Sequence, residues 1–189
     1  MEIQSIIERI GNSPIIAAVG EAENVQKAIE SPCDVVFLLF GDVFNLQEIV
    51  STLLEARKIV FIHLDLIKGI THDATGLNYL KSFVNPHGII TTKTTIVKQA
   101  KDIGFFTIQR LFLLDSKSLD VGINSLHETK PHAIEVLPGV IPKVTRRICS
   151  ITKVPIIAGG LIDQKNEIIE MLNAGVIAIS TSDYILWDA

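Results

Sequence analysis

The chain has 189 residues, a formal net charge of −4 and 48% apolar residues. A chain of that length reads as one domain, residues 1–189, able to bury a sizeable core. The negative balance argues against a protein that coats nucleic acid over its whole surface, while a local basic patch remains open. Apolar residues come in runs of about four to eight, well short of the ~20 needed to cross a bilayer, so no membrane partner is expected. The first residues, Met1 to Glu8, read as the start of an acidic amphipathic helix and lack the basic and long apolar regions of a signal peptide. Cys33 and Cys149 are isolated in or beside apolar segments. The expected setting is the cytoplasm, with both thiols reduced and buried.

Apolar β-type runs follow one another at Ile15–Val19, Val35–Phe40, Ile59–Leu66, Gly88–Thr92, Phe105–Leu111, Ala133–Leu137, Val154–Ala158 and Val176–Thr181. Helical spacing lies between them, for example Leu46/Ile49/Val50/Leu53/Leu54 and Ile168/Ile169/Met171/Leu172. Eight near-continuous apolar strands alternating with helices predict parallel βαβ units covered on both faces. The fold class is α/β, a minimal (β/α)₈ TIM barrel. The runner-up, an open flavodoxin-like sheet, usually needs only about five strands. Barrels typically run to ~250 residues, so loops here must be short throughout.

Polar residues that interrupt these strands mark the candidate site. Side chains alternate across a strand, and an unpaired charge against the helix layer is costly. Charges inside strands are therefore expected to point into the barrel, near its mouth. The third strand places Phe61, His63 and Asp65 on one parity, and the fourth places Ile89, Thr91 and Lys93 on one. The fifth carries Arg110, the sixth Glu135 and the eighth Ser180. Each has a structural alternative: Asp65 as a loop cap, His63 as a hydrogen-bonded core histidine, Lys93 or Arg110 as half of an internal ion pair. Glu135, between Ile134 and Val136, is hard to explain as surface. A mixed-charge mouth suits a small phosphorylated polyol, whose phosphate meets cations and whose hydroxyls meet carboxylates.

The last two strands end at small residues, in Ile156-Ile-Ala-Gly-Gly-Leu-Ile162 and in Ser180-Thr-Ser182. The loops after strands 7 and 8 are where barrels commonly hold a phosphate. Gly159 and Gly160 allow close backbone approach, Ser180 and Thr181 offer hydroxyls, and a helix starting near Asp183 would aim its positive end at the same place. Asp183 itself would repel a phosphate and is expected to cap or turn outward. On a helix within Ile141–Lys153, Lys143, Arg146, Arg147 and Ser150 share one face, with Val144, Ile148 and Ile151 opposite. That stripe is either a solvated helix face or a patch for RNA phosphates. The sequence carries no metal-binding motif, GxGxxG or Walker motif, and no complete catalytic arrangement, so no cofactor is expected.

Ile62-His-Leu-Asp-Leu-Ile-Lys-Gly69 with Asp73 and Gly76, Gly88-Ile-Ile-Thr-Thr-Lys93, Thr107–Ser116, Ile134-Glu-Val-Leu-Pro-Gly139, Ile156–Ile162 and the closing Ser180-Thr-Ser182 with Trp187 occur in that order. Over essentially the whole chain this series resembles the glycerol-3-phosphate-responsive antiterminators, the glycerol uptake operon antiterminator regulatory proteins of bacteria. It departs from their pattern at Thr91-Thr92, conservatively. The resemblance implies a (β/α)₈ barrel that is not an enzyme. Such a protein senses glycerol 3-phosphate and acts on leader mRNA, letting transcription pass a terminator. The ligand-binding candidates are Asp65, Lys68, Lys93, Arg110, Glu135, Gly159, Gly160, Ser180 and Thr181, with Lys143, Arg146 and Arg147 as the RNA-binding candidates. A homodimer is a possible assembly, with Tyr184, Leu186 and Trp187 forming either its contact or a cover for the barrel. The alternative function is a small barrel enzyme acting on a glycerol phosphate by prenyl transfer or as a lyase.

Overall fold

A computed structural model describes residues 2–189. Its eight strands are β1 (Ile15–Val19), β2 (Val35–Leu38), β3 (Ile59–His63), β4 (Gly88–Thr91), β5 (Phe106–Phe112), β6 (Ala133–Leu137), β7 (Ile156–Gly159) and β8 (Ala178–Thr181). They pair in parallel, each with its sequence neighbour, and β8 returns to β1 to close the barrel. This is the (β/α)₈ fold that the alternating pattern predicts. The helices are α1 (Ile3–Asn12), before the first strand, then α2 (Val25–Glu30), α3 (Leu46–Glu55), α4 (Ala74–Tyr79), α5 (Thr94–Asp102), α6 (Ser116–Thr129), α7 (Pro142–Ile151) and α8 (Lys165–Asn173). Economy of length shows in α2, only six residues long, whereas α4 runs on into a π-helical stretch, Leu80–Val84. After β8 a 3₁₀ helix, Tyr184–Asp188, stands where another α-helix would. It buries Leu186 and Trp187 and leaves Tyr184 half exposed. The Trp187 indole donates to the Thr181 carbonyl at 2.9 Å, so this segment covers the barrel wall.

Two apolar layers form because every strand alternates. Ala17, Val36, Val60, Ile62, Ile89, Ile134, Val136, Ala158 and Ile179 face the helices. Ile16, Val35, Phe37, Ile59, Phe61, Ile90, Phe106, Ile108, Ala133, Ile157 and Ala178 fill the barrel, where Ile6 and Ile10 of α1 join them. Phe61 sits edge-on between Phe37 and Phe106, with ring centroids 5.7 Å and 5.3 Å away. Such aromatic contacts add to the stabilisation from burial. Above this apolar plug the inward positions turn polar, and that change of character makes the site.

Register corrects one expectation. Phe61 pairs with Gly88 and His63 with Ile90, and paired residues of a parallel ladder share a face. Gly88 and Ile90 therefore point inward, while Ile89 and Thr91 point to the helices. The expected inward line of Ile89, Thr91 and Lys93 is the outward one. A period of two is legible in a sequence, but its phase is set by the neighbouring strand. Phase is fixed here by bulk: a Cβ on Gly88 would lie 2.2 Å from the Phe106 carbonyl oxygen and 2.7 Å from the Phe61 ring. The third strand also stops early, at His63, because Leu64–Leu66 turn into a 3₁₀ helix that swings Asp65 sideways.

Gly88→Ala is expected to destabilise the fold by at least about 1–3 kcal/mol, since the clash involves backbone and a packed ring. Chemical denaturation checks this, and a change below ~0.5 kcal/mol would show that the strand yields easily.

Candidate functional site

The inward polar residues near the C-terminal mouth are His63 on β3, Arg110 on β5, Glu135 on β6 and Ser180 on β8. All are at most 9% exposed. Arg110 and Glu135 are register partners, which brings the Arg110 Nε to 2.6 Å from the Glu135 Oε2. The Ser180 hydroxyl donates to the other oxygen, Oε1, also at 2.6 Å. Gly159 pairs with Ser180 across β7 and β8. A Cβ on Gly159 would fall 2.2 Å from the Ser180 Oγ and 2.8 Å from the Glu135 Oε1. The glycine thus makes the room in which carboxylate and hydroxyl meet. A buried carboxylate stays charged at tolerable cost only when paired and hydrogen-bonded in this way.

A cavity of about 120 Å³ opens beside this cluster, lined by Arg110, Glu135, Ser180, Gly160, Leu161 and Ser182 among others. Drug-sized ligands occupy roughly 300–1,000 Å³, so this space suits a short-chain compound. Gly160 and Leu161 both have positive φ, +77° and +62°. For a leucine that conformation costs about 1–2 kcal/mol. Among the described residues, the backbone N–H groups of Leu161 and Ser182 donate to no acceptor. Free N–H groups at such turns form an anion-binding concavity.

The expected site residues separate in space. Arg110, Glu135, Gly160, Ser180 and Thr181 line the cavity, whereas Asp65, Lys68, Lys93 and Gly159 do not. Thr181 contributes backbone, because its hydroxyl donates to the Ile162 carbonyl at 3.1 Å and accepts the Asp183 N–H at 3.1 Å. Asp65 accepts from the Thr91 hydroxyl and from the Thr92 N–H and hydroxyl, at 2.8–2.9 Å. Burial works to raise its pKa, but these donors outweigh burial and hold the carboxyl below its ordinary value. It ties β3 to β4. Lys93 precedes α5, is exposed and meets the His72 ring. Lys68 is exposed in the loop after β3, with its backbone bonded to Gly41 and Val43. The helix expected to aim its N-terminus from Asp183 is only the five-residue 3₁₀ segment, and the Asp183 carboxylate occupies its first turn by accepting the Ile185 N–H.

Lys143, Arg146 and Arg147 are exposed on α7. Arg147 stands 3.9 Å from Asp120 of α6. Lys143 and Arg147 line a groove of about 410 Å³ with Leu113, Leu114, Ile141 and Val144, at the rim formed by the connections after β5 and β6. Ile151, expected on the buried face, is 51% exposed, and Thr145 is buried in its stead. The groove carries no signal in the sequence, whereas the small residues that end β7 and β8 mark the loops with free N–H groups.

Fold and site together define a minimal (β/α)₈ barrel with a small polar pocket at its C-terminal mouth. The family model for the glycerol-3-phosphate responsive antiterminators matches residues 15–187, and the chain belongs to that family. It is 31% identical to the glycerol uptake operon antiterminator regulatory protein from Listeria monocytogenes, with a TM-score of 0.90 over 93% of this chain and 95% of that one. A glycerol uptake operon antiterminator-related protein from Thermotoga maritima is 36% identical, with a TM-score of 0.82 over 92% and 96% of the two chains. The uncharacterized protein YgcP of Escherichia coli K12 is 35% identical over 182 residues, 96% of this chain and 95% of its own length. Membership supports a regulatory role. No helix among the described residues is long and apolar enough to cross a membrane.

Two outcomes follow from the polar layer. Glu135→Ala strands the Arg110 charge and is expected to cost about 3–5 kcal/mol in chemical denaturation, whereas Arg110→Met with Glu135→Leu should cost far less. Burial and then the Arg110 charge push His63 down from 6.5 to about 4, against the pull of Asp65. Burial lowers His87 and His132 as well. The folded state thus binds fewer protons than the unfolded chain between these values. Stability is complete above about pH 6.5 and falls as the pH drops toward about 4, by roughly 3 kcal/mol from His63. Denaturation midpoints at pH 7 and pH 4 should converge in His63→Phe relative to the parent chain.

Proposed function

We propose that this protein senses glycerol 3-phosphate and, in the liganded state, acts on the leader mRNA of glycerol-utilisation genes as a cytoplasmic antiterminator. The observation that carries the reading is the mouth cavity, which combines unpaired backbone donors with a carboxylate, a guanidinium and a hydroxyl. The phosphate sits on the Leu161 and Ser182 N–H groups. The polyol end exchanges hydrogen bonds with Glu135, Arg110 and Ser180. Family membership supports the same ligand. No chemical step is required of the pocket, because the buried carboxylate is held by its partners rather than poised as a base.

Lys143 lies on α7 and also lines the rim groove. A basic stripe that starts at the rim gives ligand and RNA neighbouring surfaces. Binding then favours the conformation competent for RNA to the extent that the ligand prefers it.

Glycerol 3-phosphate at ~100 times its Kd should stabilise the fold by about 2.7 kcal/mol, read as a thermal shift. The shift should be lost in Ser180→Ala with Glu135→Gln. Leader transcript should bind with a salt dependence that weakens in Arg146→Ala with Arg147→Ala. A shift with other phosphate esters but none with glycerol 3-phosphate would sink the ligand assignment. Unchanged RNA binding in the arginine variant would sink the patch.

A further inference from the structure

Solvent-facing apolar side chains are spread unevenly over this barrel. The four most exposed run from Phe44 at 94% through Leu114 and Leu161 to Ile185 at 70%. All of them stand in connections that follow strands, after β2, β5, β7 and β8. In a parallel barrel such connections lie together at the C-terminal end, so these side chains surround the mouth. Single exposed apolar residues are ordinary, whereas a set gathered at one end marks an interaction surface. Leu161 even takes a left-handed backbone conformation, unfavourable for a leucine, and its side chain gains no burial in return. The closing segment divides in the same sense: Leu186 and Trp187 turn to the barrel wall, and Ile185 turns to solvent.

Charges at this end fall into two halves. After β3 and β4 stand Lys68 and Lys93, both exposed. The carboxylates on that side, Asp65 and Asp73, are taken up by hydroxyl and backbone donors. After β7 and β1 stand Asp163, Glu21 and Glu23, all exposed, and Asp183 after β8 joins them. These carboxylates outnumber the cations of that side, Lys165 and Lys27. Lys68, Lys93, Asp163, Glu21 and Glu23 have no ion-pair partner among the described residues. In the closed order of eight strands, β3 and β4 stand across the axis from β7 and β8. The basic and acidic halves thus oppose each other across the mouth.

We propose that the mouth end is the contact surface for a second copy of this chain. A two-fold axis in the plane of the contact, at right angles to the line joining the halves, sets each half of one mouth against the opposite half of the other. The lysines after β3 and β4 of one copy then meet the carboxylates after β7 and β1 of its partner, and the reverse pairing forms as well. Isologous contacts require this self-complementarity. The apolar tips supply the buried area, and the charges fix orientation and exclude other arrangements. An RNA strand fits this end less well, because the acidic half repels phosphates and the tips are mostly aliphatic rather than aromatic. Leu161 also lines the mouth cavity, so the contact closes over the pocket. The contact does not depend on which ligand the pocket takes.

Sedimentation equilibrium of the full chain without ligand, over about 1–100 µM, reads the association directly. The parent chain should dimerise. Phe44→Asp with Leu114→Asp should weaken the dimer by at least about tenfold, with circular dichroism unchanged because both side chains face solvent. Lys68→Glu with Lys93→Glu should weaken it as well, and so should Glu21→Lys with Glu23→Lys and Asp163→Lys, since each set brings like charges together. Mixed in equal amounts, the two charge variants should associate again, because each restores the partners that the other has lost. Should one set of substitutions fail to fold, the other reads the same contact. A parent chain that stays monomeric over this range overturns the proposal. A dimer indifferent to the substitutions also overturns it, as do charge variants that remain apart when mixed.

Discussion

A single buried carboxylate organises the mouth of this barrel. Glu135 is 1% exposed and draws its partners from the two strands whose inward positions can reach it. Arg110 comes from β5, beside it, and Ser180 from β8, two strands away. The intervening strand must then present no side chain, and Gly159 presents none. Charge, hydroxyl and absence of a Cβ are three parts of one constraint. Each would be unfavourable without the others, since an unpaired charge or an unmet donor in this environment costs several times what a completed contact returns.

The rest of the interior supports that arrangement by being apolar. The Phe37, Phe61 and Phe106 cluster and the α1 isoleucines close the barrel from below. Polar groups therefore have one outlet, the C-terminal mouth, where barrel loops conventionally carry function. The loops there are of two kinds. Those after β3 and β4 are locked together by Asp65 and the Thr91-Thr92 donors. The one after β7 holds a leucine in the left-handed region and leaves the N–H of that leucine free. A tied side facing an open one gives a small pocket with direction, able to take a molecule that is anionic at one end and hydroxylated at the other.

Such a pocket fits a regulator. Small ligands that bind a site built from interlocked side chains change its stability without needing reactive groups, and the family to which the chain belongs is defined by response to such a ligand. The basic stripe on α7 begins at the rim, where Lys143 and Arg147 line a groove that shares no residue with the mouth cavity. It is modest in size, consistent with a chain whose overall charge is negative.

Much of this was legible in the residues. Eight apolar runs alternating with helical spacing determine a barrel, because period and run length are local properties that any alternative packing must respect. Glu135 between two β-formers could be recognised as an interior group from burial cost alone, and the Gly159-Gly160 pair marked the loop after β7. What the sequence could not decide was phase and partnership. Whether Thr91 and Lys93 look inward depends on where β4 meets β3, and Gly88, squeezed between Phe61 and Phe106, settles it the other way. Whether Arg110, Lys93 or Asp65 pairs with Glu135 depends on register across strands far apart in the chain. Whether His63 finds a partner depends on what stands across the barrel. These are long-range geometric facts, and only closure of the barrel creates them.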